Sequence, residues 1–396
     1  MRRRQFIAGL GGATLAGVSG FAGAQTTSVP GITDREIRMG QTLPLSGPAA
    51  NFSTVGKAVL SWFESVNAEG GVNGRKLTLI QLDDAFSAAK TVEQSRRLVE
   101  REQVAFICAP LGTPTNIAVR GYYNAQKVPQ LFIGSGGSTW ADDIAKYPWS
   151  LGWQPLNTDE GRTFAKHILQ TRPDAKIAVL YQNDDAGKDV VRGLKSGLGP
   201  AAKQIVREES HELTDPTVDS QVVTMQASGA DVLVAWGSPR ATIQTLRKAH
   251  DVGWKPTIYI NQNSSSVPTV LTPAGLDKAT GVISAAFLKD PADANWRSDR
   301  NVEAWFAFMD KFNAGAAKDY NAVYGTSIAQ TVVQMLKQCG NDLTRENMVR
   351  QTRRLDLELP MLLPGLRIKT SEADPHPIRT LRLQRFDGAS WKLLNT

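Results

Sequence analysis

The sequence predicts an α/β protein of two similar, doubly wound lobes joined by a multi-strand hinge. Three observations predict it. Short apolar strands alternate with amphipathic helices from 36 to 285, the pattern of a parallel sheet covered on both faces. The alternation restarts after PWSLGWQP (148–155). Helices then dominate from 298, and a strand-rich tail from 366 closes the chain with a hairpin, so the chain crosses between the lobes several times.

Taken in order, EIRMGQTL (36–43) reads as a strand and VGKAVLSWFESVNAEGG (55–71) as a helix ended by Gly70-Gly71. Asn73-Gly74 turns the chain into strand KLTLIQL (76–82). AAKTVEQSRRLVERE (88–102) has helical spacing, with Asp83-Asp84 placed to cap it. Strand VAFICA (104–109), helix NIAVRGYYNAQK (116–127) and strand VPQLFIG (128–134) follow. In the second block TDEGRTFAKHILQTR (158–172) is a helix with Thr158 as N-cap and acids in its first turn. KIAVLYQ (176–182), KQIVREES (203–210), DVLVAWG (231–237) and PTIYINQ (256–262) continue the strands, with helical segments such as VVRGLKSGL (190–198) between them. The expected N-lobe takes 30–156 and 286–380, the C-lobe 157–285 and 381–396.

A chain of 396 residues can bury two sizeable cores. Residues 1–24 read as an export signal: Arg2, Arg3 and Arg4, a weakly apolar Gly/Ala-rich stretch, and a small-x-small cleavage site at Ala22-Gly23-Ala24. Arg3-Arg4-Gln5-Phe6-Ile7 resembles a twin-arginine motif, and the apolar stretch falls short of the roughly 20 residues of a spanning helix. The expected location is the periplasm. The leader holds three arginines and no acid, so the net charge of +7 falls to +4 without it, and no basic run marks a nucleic-acid surface. Cys108 and Cys339 are expected as two separately buried thiols rather than a bridge. His167, His211, His250 and His376 are scattered without metal spacing, so neither a metal nor a cofactor is expected. GSGGS (134–138) lacks the dinucleotide spacing, and no nucleophile elbow or P-loop occurs, which points away from an enzyme.

CAPLGTPTNIA (108–118) carries the sharpest functional signal. An apolar strand ends there and a helix starts at Thr113 or Pro114. Proline suits the first helical position, and the free backbone N–H groups beside it can meet an anion.

Four stretches together resemble type I periplasmic substrate-binding proteins of the branched-chain amino acid ABC-importer kind. They are IRMGQTLPLSGPAANFSTVGKAVLSWFESVNAEGGVNGRKLTLIQLDD, VAFICAPLGTPTNIA, VPQLFIGSGGST and DVLVAWGSPRATIQTLRKAHDVGW. The resemblance implies a Venus-flytrap pair of lobes closing over a small solute, which a membrane permease with ATPase subunits then receives. It implies a monomer that does no catalysis. It also implies that an N-lobe carboxylate site draws on Gly112, Thr113 and Thr115 in one loop and on Gly136 and Ser138 in the next, with Phe52 over the ligand. The matching C-lobe positions are Ala186, Ser238 and Gln262. Family members that bind amino acids place an acid where Gln262 stands, to hold the ammonium group. The expectation is therefore a carboxylate-bearing solute: an amino acid, or an aromatic or aliphatic acid or amide without an α-ammonium. Asp184 or Asp185 could restore the charge or merely cap the next helix. Trp140, Trp149 and Trp153 line the pocket or pack at a lobe edge. A sensing lobe that acts with a receptor is the alternative.

Overall fold

The computed structural model describes residues 29–394, so the expected export signal and the expected cleavage after Ala24 lie outside the described residues. Five strands form the first sheet: β1 (Glu36–Leu43), β2 (Lys76–Asp83), β3 (Phe106–Cys108), β4 (Gln130–Ile133) and β5 (Ser150–Gly152). Their order is β2-β1-β3-β4-β5, all parallel. The second sheet begins with β6 (Ile177–Gln182), β7 (Ile205–His211), β8 (Val232–Trp236), β9 (Thr257–Ile260) and β10 (Ile283–Ala286). A small ribbon of β11 (Asp356–Leu357) and β12 (Ile368–Lys369) stands apart. The hairpin of β13 (Arg382–Phe386) and β14 (Trp391–Leu393) returns to complete the order β14-β13-β10-β9-β8-β6-β7, antiparallel only at the hairpin end.

The inner strands are covered on both faces, which is why they read as unbroken apolar runs. Every residue of VLVAW in β8 and of FIC in β3 is buried. Helices that matter for the cleft are α1 (Ser53–Ala68), α2 (Ala88–Arg96), α3 (Thr113–Ala125), α4 (Thr139–Asp142), α5 (Asn157–Thr171) and α6 (Asp185–Leu198). The long helix Tyr320–Cys339 returns to the first lobe and packs on α1 at Gly325, where a Cβ would lie 2.4 Å from the Val55 carbonyl oxygen.

The chain passes from the first sheet to the second after β5, leaves the second sheet after β10 to return to the first lobe, and rejoins the second sheet at β13. His376 ties the third crossing to the first: its Nε2 lies 2.7 Å from the Gln154 carbonyl oxygen, so that nitrogen carries the proton. Burial lowers the His376 pKa to about 4, which keeps the ring neutral.

Two capping expectations differ from the structure. Helix α5 starts one residue before Thr158, with Leu156 at its N-cap position and no side-chain cap. Asp83 and Asp84 accept backbone N–H groups of the turn after β2 rather than of α2, whose N-cap is Ser87; of α2, Asp84 takes only the Thr91 hydroxyl. Cys108 and Cys339 are both free and buried, and burial pushes both thiols toward the neutral form.

Candidate functional site

Parallel strands present the N-terminal ends of the following helices beyond their carboxyl ends, where solutes bind in open α/β sheets. The two sheets face each other across such a cleft. It encloses about 770 Å³ of empty space, including its mouth.

The first lobe contributes Phe52, Phe86, Gly112, Thr113, Ser135 and Gly136. Gly112 must be glycine: its φ is +97°, and a Cβ would meet Thr115 Oγ1 at 2.5 Å and the Phe86 ring at 2.6 Å. The direction of each hydroxyl on this face can be worked out. Ser135 Oγ accepts from the Gly137 N–H at 3.1 Å and from Trp140 Nε1–H at 2.8 Å. With both lone pairs filled, its own proton goes to Thr113 Oγ1, 2.6 Å away. Thr113 is left with a hydroxyl proton to donate into the cavity, at the N-terminus of α3 where a negative group is favoured.

The second lobe contributes Asp184, Ala186, Trp236, Ser238, Asn261 and Asn263. Asp184 caps α6 by accepting from the Gly187 N–H at 2.9 Å, and it takes a second bond from Gln182 Nε2 at 2.6 Å. Burial still raises its pKa. Asp184 therefore both caps and faces the solute space. Among the described residues, no Lys, Arg or His lines the cavity. Gln154, Asn157, Asn321 and Tyr324 line it from the hinge side, and Tyr324 donates its hydroxyl to Gln154 Oε1 at 2.9 Å.

Three expected residues do not line the cavity. Thr115 turns its hydroxyl back to the Leu111 carbonyl at 2.8 Å, as a buried helical threonine does. Ser138 bonds across the cleft to Asp189. Gln262 is displaced because β9 ends at Ile260 and a tight turn, Gln262–Ser264, follows. Its side chain is wholly buried, and its N–H donates to Glu160 Oε1 at 2.8 Å. Asn261 and Asn263 flank it and do face the solute space. The expectation of a ligand lacking an ammonium, which rested on Gln262, loses that footing. Trp140, Trp149 and Trp153 do not line the cavity either; Trp153 is buried, donating to Thr331 Oγ1 at 3.0 Å.

A second carboxylate sits behind the C-lobe wall. Glu160 is 1% exposed and accepts from Trp236 Nε1 at 3.0 Å as well as from Gln262. Among the described residues no cation is bonded to it, and burial lifts its pKa to about 7. Phe86, Trp236 and Tyr324 were not singled out from the sequence. The rule that sites lie beyond strand ends could have found Phe86 and Trp236, which stand at the ends of β2 and β8.

A family model described as periplasmic binding protein matches residues 36–390. The chain belongs to the periplasmic binding protein family. The "Leu/Ile/Val-binding protein homolog 7" of Brucella abortus is 25% identical over 250 residues, which is 60% of this chain and 61% of that protein. The match thus spans less than two thirds of that relative. Among solved structures, a branched chain amino acid ABC transporter protein from Thermus thermophilus with bound valine superposes with TM-score 0.79 at 14% identity, covering 92% of this chain and 96% of that one. A solute-binding protein from R. palustris in complex with benzoate superposes with TM-score 0.77 at 16% identity, covering 91% and 95%. At such identities the likeness concerns the fold.

Proposed function

We propose that this periplasmic binding protein is the solute-binding component of an ABC importer. It captures a small carboxylate-bearing solute between its lobes in the periplasm and delivers it to permease subunits driven by ATPase subunits. The single observation that carries this reading is Thr113, whose hydroxyl proton is left free at a helix N-terminus in a cavity lined by no cationic side chain among the described residues. Hydrogen bonds to a charged acceptor contribute about 1.5–3 kcal/mol each, so a few converging donors suffice for micromolar binding without arginine. The family supports the reading, as do the valine and benzoate held by proteins of the same fold. Both of those solutes carry a carboxylate.

The test has two parts. A thermal-shift screen of carboxylates against the purified protein should find solutes that raise the Tm, since a ligand selective for the native state stabilises it. Cells lacking the gene should then lose uptake of the labelled solute. Unchanged uptake with loss of a solute-dependent response would replace transport by the sensing alternative.

A further inference from the structure

Ala85 and Phe86 hold consecutive positive φ angles of +48° and +58°. A bulky residue in the left-handed region is a genuine outlier, and it persists only where the surroundings over-determine it. Here two carboxylates do so. Asp83 Oδ1 accepts the N–H of Ala85 at 2.9 Å, of Leu45 at 2.8 Å and of Ser46 at 3.2 Å. Asp83 Oδ2 accepts the Ser46 hydroxyl at 2.5 Å. Asp84, wholly buried, accepts the Phe86 N–H at 2.9 Å and the Thr91 hydroxyl at 3.1 Å. The turn after β2 is thereby fixed in a strained shape and pinned to the loop after β1, which leads into Phe52.

The product of that strain is an aromatic face on the solute space. Phe86 lines the cavity together with Phe52, and its ring takes the room that a side chain at Gly112 would need. The ring is only partly buried, so core packing does not account for its position.

We propose that Phe86 is a specificity-determining residue, forming with Phe52 the wall on which a solute's aromatic ring packs while its carboxylate meets Thr113. This rests on the carboxylate reading above and names the solute class as aromatic carboxylates. The turn, held by Asp83 and Asp84, keeps that ring on the solute space.

The test compares the wild-type protein with Phe86→Gly and Phe86→Ala. Tm is measured without ligand, and isothermal titration uses benzoate, phenylacetate and leucine. The expected result is binding of benzoate or phenylacetate by the wild type. In both variants the preference for that acid over leucine falls at least about tenfold. The Tm of Phe86→Gly is equal to or above the wild-type value, because glycine relieves the strain. Aromatic binding that is indifferent to both variants would overturn the proposal, as would a Tm several degrees lower with unchanged preference. Wild-type binding of leucine alone would overturn it while leaving the carboxylate reading intact. Binding of none of the three, with no hit in the wider carboxylate screen, would overturn both.

Discussion

Ser138 reaches across the cleft to Asp189, donating its backbone N–H to one carboxylate oxygen at 2.6 Å and its hydroxyl to the other at 3.1 Å. Arg192 donates to the Ser138 hydroxyl and to Asp189, the latter at 2.8 Å, and lies 3.7 Å from Asp142. Ser138 and Asp142 stand on the first lobe, Asp189 and Arg192 on α6 of the second. The serine expected to hold a solute carboxylate holds the protein's own. The same loop, residues 134–138, lines the cavity at Gly134, Ser135 and Gly136, so the solute space and the Ser138–Asp189 contact between the lobes share one stretch of backbone.

Replacing Asp189 by alanine should therefore loosen closure. Two charge-assisted bonds are lost, each contributing about 1.5–3 kcal/mol, and closure is one part of binding, so solute affinity should fall about tenfold or more. Small-angle scattering should show a larger radius of gyration at saturating solute. An unchanged radius and affinity would mean that the Ser138–Asp189 contact does not hold the closed form.

The hydroxyl relay makes a graded prediction. Thr113→Val removes the donor and should weaken carboxylate binding by about 1.5–3 kcal/mol. Trp140→Phe removes only the N–H that fills Ser135, so Ser135 and Thr113 can reverse their bond, and the loss should be smaller. Titration of both variants with one bound carboxylate gives the order. Equal losses would contradict the relay.

Gly112→Ala forces a Cβ against the Phe86 ring and Thr115 at a φ of +97°. It should destabilise the fold by about 1–3 kcal/mol and disturb the carboxylate loop, so both the Tm and affinity fall. Thr115→Ser keeps the hydroxyl bond to Leu111 and should leave affinity unchanged.

Glu160 gives a pH prediction with a fixed sign. Its folded pKa of about 7 lies above the ordinary glutamate value, so the native state binds the proton more tightly than the unfolded chain. This favours the native state in acid, fades as pH rises from about 4 to 7, and leaves a penalty on the order of 3 kcal/mol above that. Asp290, also raised to about 7 by burial, acts in the same direction. Denaturant unfolding from pH 5 to 8 should show wild-type stability falling with pH, and Glu160→Gln should flatten part of that slope. An identical slope in the variant would show that Glu160 does not titrate in this range.

Much of the fold was legible because buried parallel strands and their helices leave period and punctuation in the chain. Strand β1 runs over the expected residues 36–43. The lining of the candidate cleft was legible where local geometry decides it: Gly112 and Thr113 at a strand-to-helix junction, and Asp184 and Ser238 at helix N-caps. It was not legible where a one- or two-residue shift decides which way a side chain points. β9 stopping at Ile260 exchanged Gln262 for its asparagine neighbours. Nor was it legible where partners come from far along the chain, as Asp189 does for Ser138 and Leu45 and Ser46 do for the turn that carries Phe86.

The central claim is that the cleft recognises a carboxylate through uncharged donors on the first lobe. Isothermal titration of the purified protein with the best acid from the screen, its methyl ester, and the same acid against Thr113→Val tests this most directly. The account predicts micromolar binding of the acid, at least tenfold weaker binding of the ester, and a comparable loss in the variant. Equal affinity for acid and ester, or an acid affinity untouched by Thr113→Val, would contradict it.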